Sequence, residues 1–366
     1  MKKTIAIFAA FALVFGFAAT TMAADWDFYG SARFATFYVT SDEESPTNPG
    51  VSDDYSNTQW ALQGNSRIGA TVSNGDVGGG FEYGSGPNLR KLYGTWNFGA
   101  GELLIGQTYT PTVQFYSNQV FAGDNDLLGV GQFYNGRHPM IQLKMGGFKA
   151  ALVTPVTDFA DRGGLVADPT EVTIPKIEVA YKFSTDMFFV EPMAGYQTYD
   201  VLDATGDGES VDAYVFGAYA GVMFGPASVY LGGYYAQNSG AYGAFQGYGS
   251  GTLFEGDPVW DGSEVQDNEE MGGILVVNFK INDMLSAEGG IGYKSNEIDS
   301  SSVGGKWEAE VMSYYFNLPI MLADGVFITP EIGFFDFGDA KQPAAAGGDD
   351  EQGSDTYIGA KWQINF

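Results

Sequence analysis

Few residues of this chain could make or break a bond. Among 366 residues there is one histidine, His138, and no cysteine. That removes thiol catalysis, disulfide scaffolds and thiolate zinc sites. It also leaves no pair of histidines for a metal motif and only His138 as a histidine base. No Gly-x-Ser-x-Gly is present, so enzymatic chemistry is not expected and no cofactor is called for. Carboxylates are abundant instead: 45 Asp and Glu stand against 17 Lys and Arg, a formal charge of −28. A nucleic-acid partner needs clustered Lys and Arg, which this balance argues against. The stretches Gly347-Gly348-Asp349-Asp350-Glu351 and Asp257 to Glu270 offer oxygens to a hard cation. They lack the ligand spacing of an EF-hand loop or the repeats of a β-roll, and they read as solvated loops without metal. What remains is charge used as a field. Two aspartates, Asp124 and Asp126, sit in the middle of a long apolar segment, and a few arginines and lysines stand on alternating stretches.

The elements that must position them are strands. The chain has 52 Gly and 56 aromatics, an alphabet of strands and turns. Residues 1–23 read as an export signal: Lys2 and Lys3, an apolar stretch, then Thr21-Met22-Ala23 as a small-residue cleavage site. Beyond it no run of 18 apolar residues occurs, so no transmembrane helix is predicted. Period-2 alternation decides what is. In 58–72, Trp60, Leu62, Gly64, Ser66, Ile68, Ala70 and Val72 fall on one face, and Gln59, Gln63, Asn65, Arg67 and Thr71 on the other. At the C-terminus Ile358, Ala360, Trp362, Ile364 and Phe366 point outward, with Asp355, Tyr357, Lys361, Gln363 and Asn365 inward.

Sixteen such segments are predicted: 26–39, 58–72, 78–84, 89–98, 102–109, 137–145, 148–156, 173–183, 187–199, 210–224, 226–237, 269–281, 284–297, 306–321, 325–337 and 355–366. Seven short Gly/Asn/Asp connections alternate with eight others, most of them long (40–57, 85–88, 110–136, 157–172, 200–209, 238–268, 298–305 and 338–354). A soluble sandwich has no reason to alternate in this way. The expectation is an all-β, transmembrane antiparallel barrel, a single domain over 24–366, with both termini on the short-turn side.

Three motifs then carry a resemblance. Asn65-Ser66-Arg67-Ile68-Gly69, Val77-Gly78-Gly79-Gly80-Phe81-Glu82-Tyr83 and Leu103-Leu104-Ile105-Gly106-Gln107-Thr108-Tyr109-Thr110-Pro111 resemble, in order and spacing, the general porins of Gram-negative bacteria. The ending Tyr357 to Phe366 resembles the C-terminal signal read by the barrel-assembly machinery. The resemblance implies a homotrimer in the outer membrane, in contact with lipid and lipopolysaccharide, passing small hydrophilic solutes and ions. It implies that 110–136 folds into the barrel after the fifth strand and presents Asp124 and Asp126 to a basic wall. The composition of that segment agrees, since ten of its residues, Val113 and Phe115 among them, are large and apolar.

Parity and resemblance together nominate the wall. Arg67, Lys91 and Arg33 fall inward. Arg137 follows the infolded segment, as basic residues do in the family, but Ile141 and Leu143 set the outward face of its strand, so Arg137 needs a bulge to turn in. His138 has the inward parity. Gln107 stands where many relatives carry Arg, which thins the expected basic wall. The eight connections together hold 25 of the 45 acids and only Arg162 and Lys341 of the bases. A mouth of that sign concentrates cations at low salt, and cation preference is the expectation. Two alternatives are a substrate-selective channel, needing an aromatic ladder or a one-signed constriction, and a surface adhesin or receptor using 238–268.

Overall fold

The computed structural model describes residues 24–366 apart from 48–52, 87, 162–169, 204–205, 207, 248–255, 263, 301–304 and 343–349. The export signal at 1–23, Arg162 and residues 347–349 of the acidic stretch therefore lie outside the described residues.

Alternation along the chain builds one closed sheet. Its strands are β1 (Asp25–Ser41), β2 (Tyr55–Leu62, resumed at Arg67–Asn74), β3 (Val77–Gly84), β4 (Leu89–Asn97), β5 (Glu102–Tyr109), β6 (Arg137–Met145), β7 (Phe148–Val153) and β8 (Lys176–Tyr181). The second half comprises β9 (Phe188–Leu202), β10 (Gly208–Phe224), β11 (Ala227–Gln237), β12 (Glu269–Lys280), β13 (Ser286–Ser300), β14 (Gly305–Asn317, then Ile320–Ala323), β15 (Val326–Asp336) and β16 (Ser354–Asn365). Each pairs antiparallel with its sequence neighbour, and β1 pairs with β16 from Ser31↔Asn365 to Ser41↔Asp355. That last ladder removes both edges. The sixteen predicted segments all coincide with strands.

Left-handed glycines make several of the short turns: Gly75 between β2 and β3 has φ 61°, and Gly225 between β10 and β11 has φ 60°. Such values suit the tight hairpins that match strand twist. Outward faces carry exposed apolar side chains all round, among them Trp60 at 71 %, Ile105, Ile177, Leu231 and Ile358. In water that belt would be untenable; against hydrocarbon it is the stable choice.

The alternation in 58–72 breaks once. Between Leu62 and Arg67 the strand carries four residues opposite only Ala32 and Arg33 of β1, since Phe34 pairs with Leu62 and Ser31 with Arg67. An insertion of two residues preserves side-chain parity on both sides. Within it the expected outward placement fails. Ser66 is buried and bonds Arg33 N at 2.9 Å, and Gly64 lines the lumen.

Candidate functional site: the lumen constriction

The segment between β5 and β6 folds into the barrel, and acids of the wall hold it there. Glu331 of β15 accepts the backbone N–H groups of Val120 (2.7 Å) and Phe121 (2.8 Å). Glu288 of β13 accepts Asn118 N and Nδ2, both at 2.7 Å. Glu178 of β8 accepts Thr112 Oγ1 at 2.9 Å and Asn135 Nδ2 at 2.7 Å. A buried amide left without a partner costs about 1–3 kcal/mol, so these carboxylates set the path of the segment. Apolar contacts complete the anchor. Phe121 stacks on Tyr357 with centroids 3.9 Å apart and packs on Phe37 and Phe335. A Cβ on Gly292 would run into the Val130 carbonyl, which shows how closely the segment lies on the wall.

The tip is strained. It contains the single turn α1 (Phe121–Asp124), and Ala122, Asp124, Asp126 and Leu127 have φ of 54°, 60°, 54° and 57°. Left-handed non-glycine residues cost about 1–3 kcal/mol each and persist where their surroundings fix them. Gln63 donates to the Val120 and Ala122 carbonyls, while Gln119 Oε1 accepts Asn125 Nδ2 and Leu127 N. Strain of this kind presents the two aspartates to the open lumen.

Asp124 meets three wall residues: Arg33 Nη1 at 2.5 Å, Lys361 Nζ at 3.0 Å and Asn65 Nδ2 at 2.8 Å. Asp126 is half-buried next to them; burial, and then the Asp124 charge, push its carboxyl well above the usual range. A second cluster forms around the buried Glu82. Arg90 Nε donates to it at 2.7 Å, Tyr29 OH at 3.0 Å and Lys91 Nζ at 3.4 Å, with Arg67 Nη1 3.8 Å away.

The nominated residues therefore converge, with corrections. Arg33, Arg67, Arg137, Asp124 and Asp126 line one cavity of about 610 Å³. Lys91 is at the wall behind it, on Glu82. Arg137 turns in without the expected bulge, since β6 runs in unbroken register from Tyr109↔Arg137 to Glu102↔Lys144. It enters at the strand end, where its long side chain crosses the Tyr109 ring and Nη1 donates to the hydroxyl at 3.1 Å. His138, of inward parity, bonds the Asn135 carbonyl through Nε2 at 2.6 Å and does not line that cavity.

Three lumen residues escaped nomination. Arg90 has the wrong parity, but the ladder between β3 and β4 slips between Glu82↔Lys91 and Tyr83↔Leu89, so Arg90 and Lys91 both turn inward. No sequence pattern announces that slip. Lys361 and Glu82 were readable, Lys361 by the parity of the last strand and Glu82 from its motif. The basic wall, expected to be thin because of Gln107, carries Arg90 as well.

A second cavity of about 300 Å³ on the short-turn side is lined by Asn118, Lys361 and Gln363. The two cavities share Arg33, Phe115, Asp124 and Asp126, which therefore lie between them. Among the described residues no group of three or more His, Asp or Glu could hold a metal.

Solved structures place this architecture. The outer membrane channel DcaP of Acinetobacter baumannii matches with a TM-score of 0.66 at 16% identity, over 93% of this chain and 97% of that one. The anion-selective porin from Comamonas acidovorans matches at 0.56 and 13%, over 94% and 100%. Salmonella typhi OmpF matches at 0.54 and 13%, over 93% and 97%. The fold is that of an outer-membrane porin. No protein-family model and no curated protein matches the sequence.

One feature of this porin fold was not expected from the sequence. The connection between β11 and β12, read as an external loop, sends its first ten residues inside. Asn238, Ser239, Ala241 and Tyr242 are fully buried, and Phe245 N donates to the Tyr134 carbonyl of the constriction segment at 2.7 Å. Together the two segments fill the lumen along β8–β12: Leu127, Phe133 and Tyr242 pack on inward Val201, Val211, Val215, Tyr219, Ala236 and Val276.

Proposed function

We propose that the chain is an outer-membrane porin, a water-filled channel for passive diffusion of small hydrophilic solutes and ions, with no chemical step. The observation that carries the reading is the pair of cavities meeting at Arg33, Phe115, Asp124 and Asp126. Acids and bases facing each other across a low-dielectric gap set up a transverse field, which favours polar solutes over apolar ones. Residues 1–23 serve as the export signal, the C-terminal strand as the assembly signal, and the apolar belt as the face toward lipid, lipopolysaccharide and two further copies in a homotrimer. Cation preference arises at the acid-rich outer loops. Exposed charges there act over a Debye length of about 8–10 Å at ordinary salt, so the preference is strongest in dilute salt.

A second reading, selectivity for small anions, is favoured by the constriction itself. The larger cavity is lined by four arginines, Arg33, Arg67, Arg90 and Arg137, against Asp124 and Asp126. Fixed charges in a narrow, partly dry stretch are screened less than those at the mouth. Planar-bilayer conductance of the purified protein in a KCl gradient tests both. Open steps with a potassium-directed reversal potential in dilute salt support the first reading. A chloride-directed potential that survives concentrated salt supports the second, and absence of any steps refutes the channel.

A further inference from the structure

Two buried lysines line neither cavity described above, though Lys176 Nζ lies 3.8 Å from Glu178, an anchor of the constriction segment. Lys176 of β8 is fully buried, donates Nζ to the Tyr242 carbonyl at 2.8 Å and lies 4.3 Å from the centre of the Tyr242 ring. Lys294 of β13 is 1 % exposed and donates Nζ to the Gln246 carbonyl and to Gln246 Oε1, both at 2.9 Å. Both grip the same short stretch of the β11–β12 connection, from opposite sides of the β9–β12 wall. Elsewhere that stretch is closed on itself: Asn238 N donates to Asn268 O at 2.7 Å, and Gly240 N to Gly256 O at 3.0 Å. A buried ammonium is costly and contributes little net stability; what it supplies is a directional bond to a chosen carbonyl.

The wall beneath points the same way. Val201, Val211, Val215, Ala236 and Val276 face inward and are at most 1 % exposed. A water-filled lumen would leave these side chains wet, so the barrel is patterned for a resident segment on this side.

We propose that residues 238–247 are a second constriction element, a plug positioned by Lys176 and Lys294. It closes the β8–β12 half of the barrel and routes every solute past Arg33, Arg67, Arg90 and Arg137. Lys176 and Lys294 are positioning residues and touch no solute. The inference rests on the channel reading, and its test separates the two.

The test uses two variants of the full chain: a shortened form joining Gly240 to Gly256, which are already hydrogen-bonded, and the double substitution Lys176→Met with Lys294→Met. Single-channel conductance, the size of polyethylene glycol that enters the pore, and the reversal potential in a KCl gradient are read on each, with heat-modifiable gel mobility as the check of folding. The shortened form should conduct about two-fold more or better, since conductance follows open cross-section, admit larger polymers and lose ion selectivity. The double variant should move all three in the same direction by less. Lys341→Met, at a surface lysine paired to Glu308 at 2.6 Å, should move none.

If wild-type protein conducts and folded variants match it in conductance and polymer size, the plug is overturned and the channel stands. If the shortened form does not fold, the double variant decides on the same readings. If wild type is silent and a variant conducts, the plug stands and passive flow through the native chain does not; silence of all overturns both.

Discussion

The two sides of the lumen obey one alternation and come to opposite ends. Along β1–β4 and β16, Arg33, Arg67, Glu82, Lys91 and Lys361 gather around open cavity, beside a smaller apolar patch of Ala35, Phe37 and Tyr357 that Phe121 covers. Along β9–β12 the inward face is richer in apolar residues, Val201, Val215, Tyr219, Tyr234 and Val276 beside Gln197 and Glu270, and it is sealed under two infolded segments. Alternation alone says which residues point inward. Whether inward means wet is decided by the chemistry of those residues and by which connection comes to cover them. Polar walls keep water unless a loop supplies hydrogen bonds in its place, as the constriction segment does for Glu178, Glu288 and Glu331; apolar walls draw a loop in because it removes their surface from water.

The sharpest way to break this comparison is to place the same charge on both sides. Val215 is 1 % exposed under the infolded segments, whereas Thr71 faces inward from β2 and is exposed. Val215→Asp leaves an unpaired buried carboxylate and should cost about 3–5 kcal/mol. Thr71→Asp should stay within about 0.5 kcal/mol of wild type, as exposed substitutions do. Urea unfolding followed by gel mobility measures both; equal losses would mean that the two sides do not differ in hydration.

Next in size is the contact between wall and constriction segment. Gly292 is inward on β13, and the Val130 carbonyl occupies the place of its Cβ. Gly292→Val should destabilise by about 1–3 kcal/mol through overpacking and shift the segment that carries Asp124. Altered stability together with unaltered conductance would show that this end of the segment does not set the bore.

The same contrast accounts for how much of the fold is legible in the sequence. All sixteen strands were legible because a strand between lipid and lumen must alternate, and Trp60, Leu62 and Ile358 against Arg67, Lys361 and Asp355 leave no other reading. Strain at Ala122, Asp124, Asp126 and Leu127 was not legible, because it depends on anchors over 150 residues away in sequence, Glu288 and Glu331. Arg90 was hidden by a slip in the β3–β4 ladder. The inward course of 238–247 was hidden because its composition is that of an ordinary loop; the signal was in the wall, in the valines of β9, β10 and β12, which are too apolar for a wet channel.

Among the lumen arginines the comparison narrows to single charges. Arg33 pairs with Asp124, and Arg67 and Arg90 with Glu82, whereas Arg137 meets the Tyr109 hydroxyl. Arg137 therefore offers the least neutralised field to a passing anion. Arg137→Gln should lower chloride relative to potassium permeability by about two-fold, with stability held, because a single charge at the end of a strand adds to the field and little to the packing. Arg90→Gln should act more on stability than on permeability, since it leaves the buried Glu82 with one donor fewer. Equal permeability changes in the two variants would mean that ion pairing does not grade the wall.

The smallest effect is a dependence on pH, and it belongs to one carboxyl. Asp126 is raised above an ordinary aspartate by its burial and by the Asp124 charge, against the opposing pull of Lys361 and Arg33. An acid so raised is neutral below its shifted pKa and charged above it. As the pH falls, Asp126 takes up its proton before the exposed loop acids do, and the constriction loses one negative charge. Relative chloride permeability should therefore rise as the pH falls through the shifted value, while the mouth is still charged. The linked stability has the matching sign: the contribution of the neutral carboxyl is present at low pH and is lost as the pH rises through the shifted value. Asp126→Asn fixes the neutral state, so it should show the low-pH selectivity at every pH and a flat profile. A wild-type profile as flat as that of Asp126→Asn would place the titrating charge outside the constriction and leave the arginines balanced by Asp124 alone.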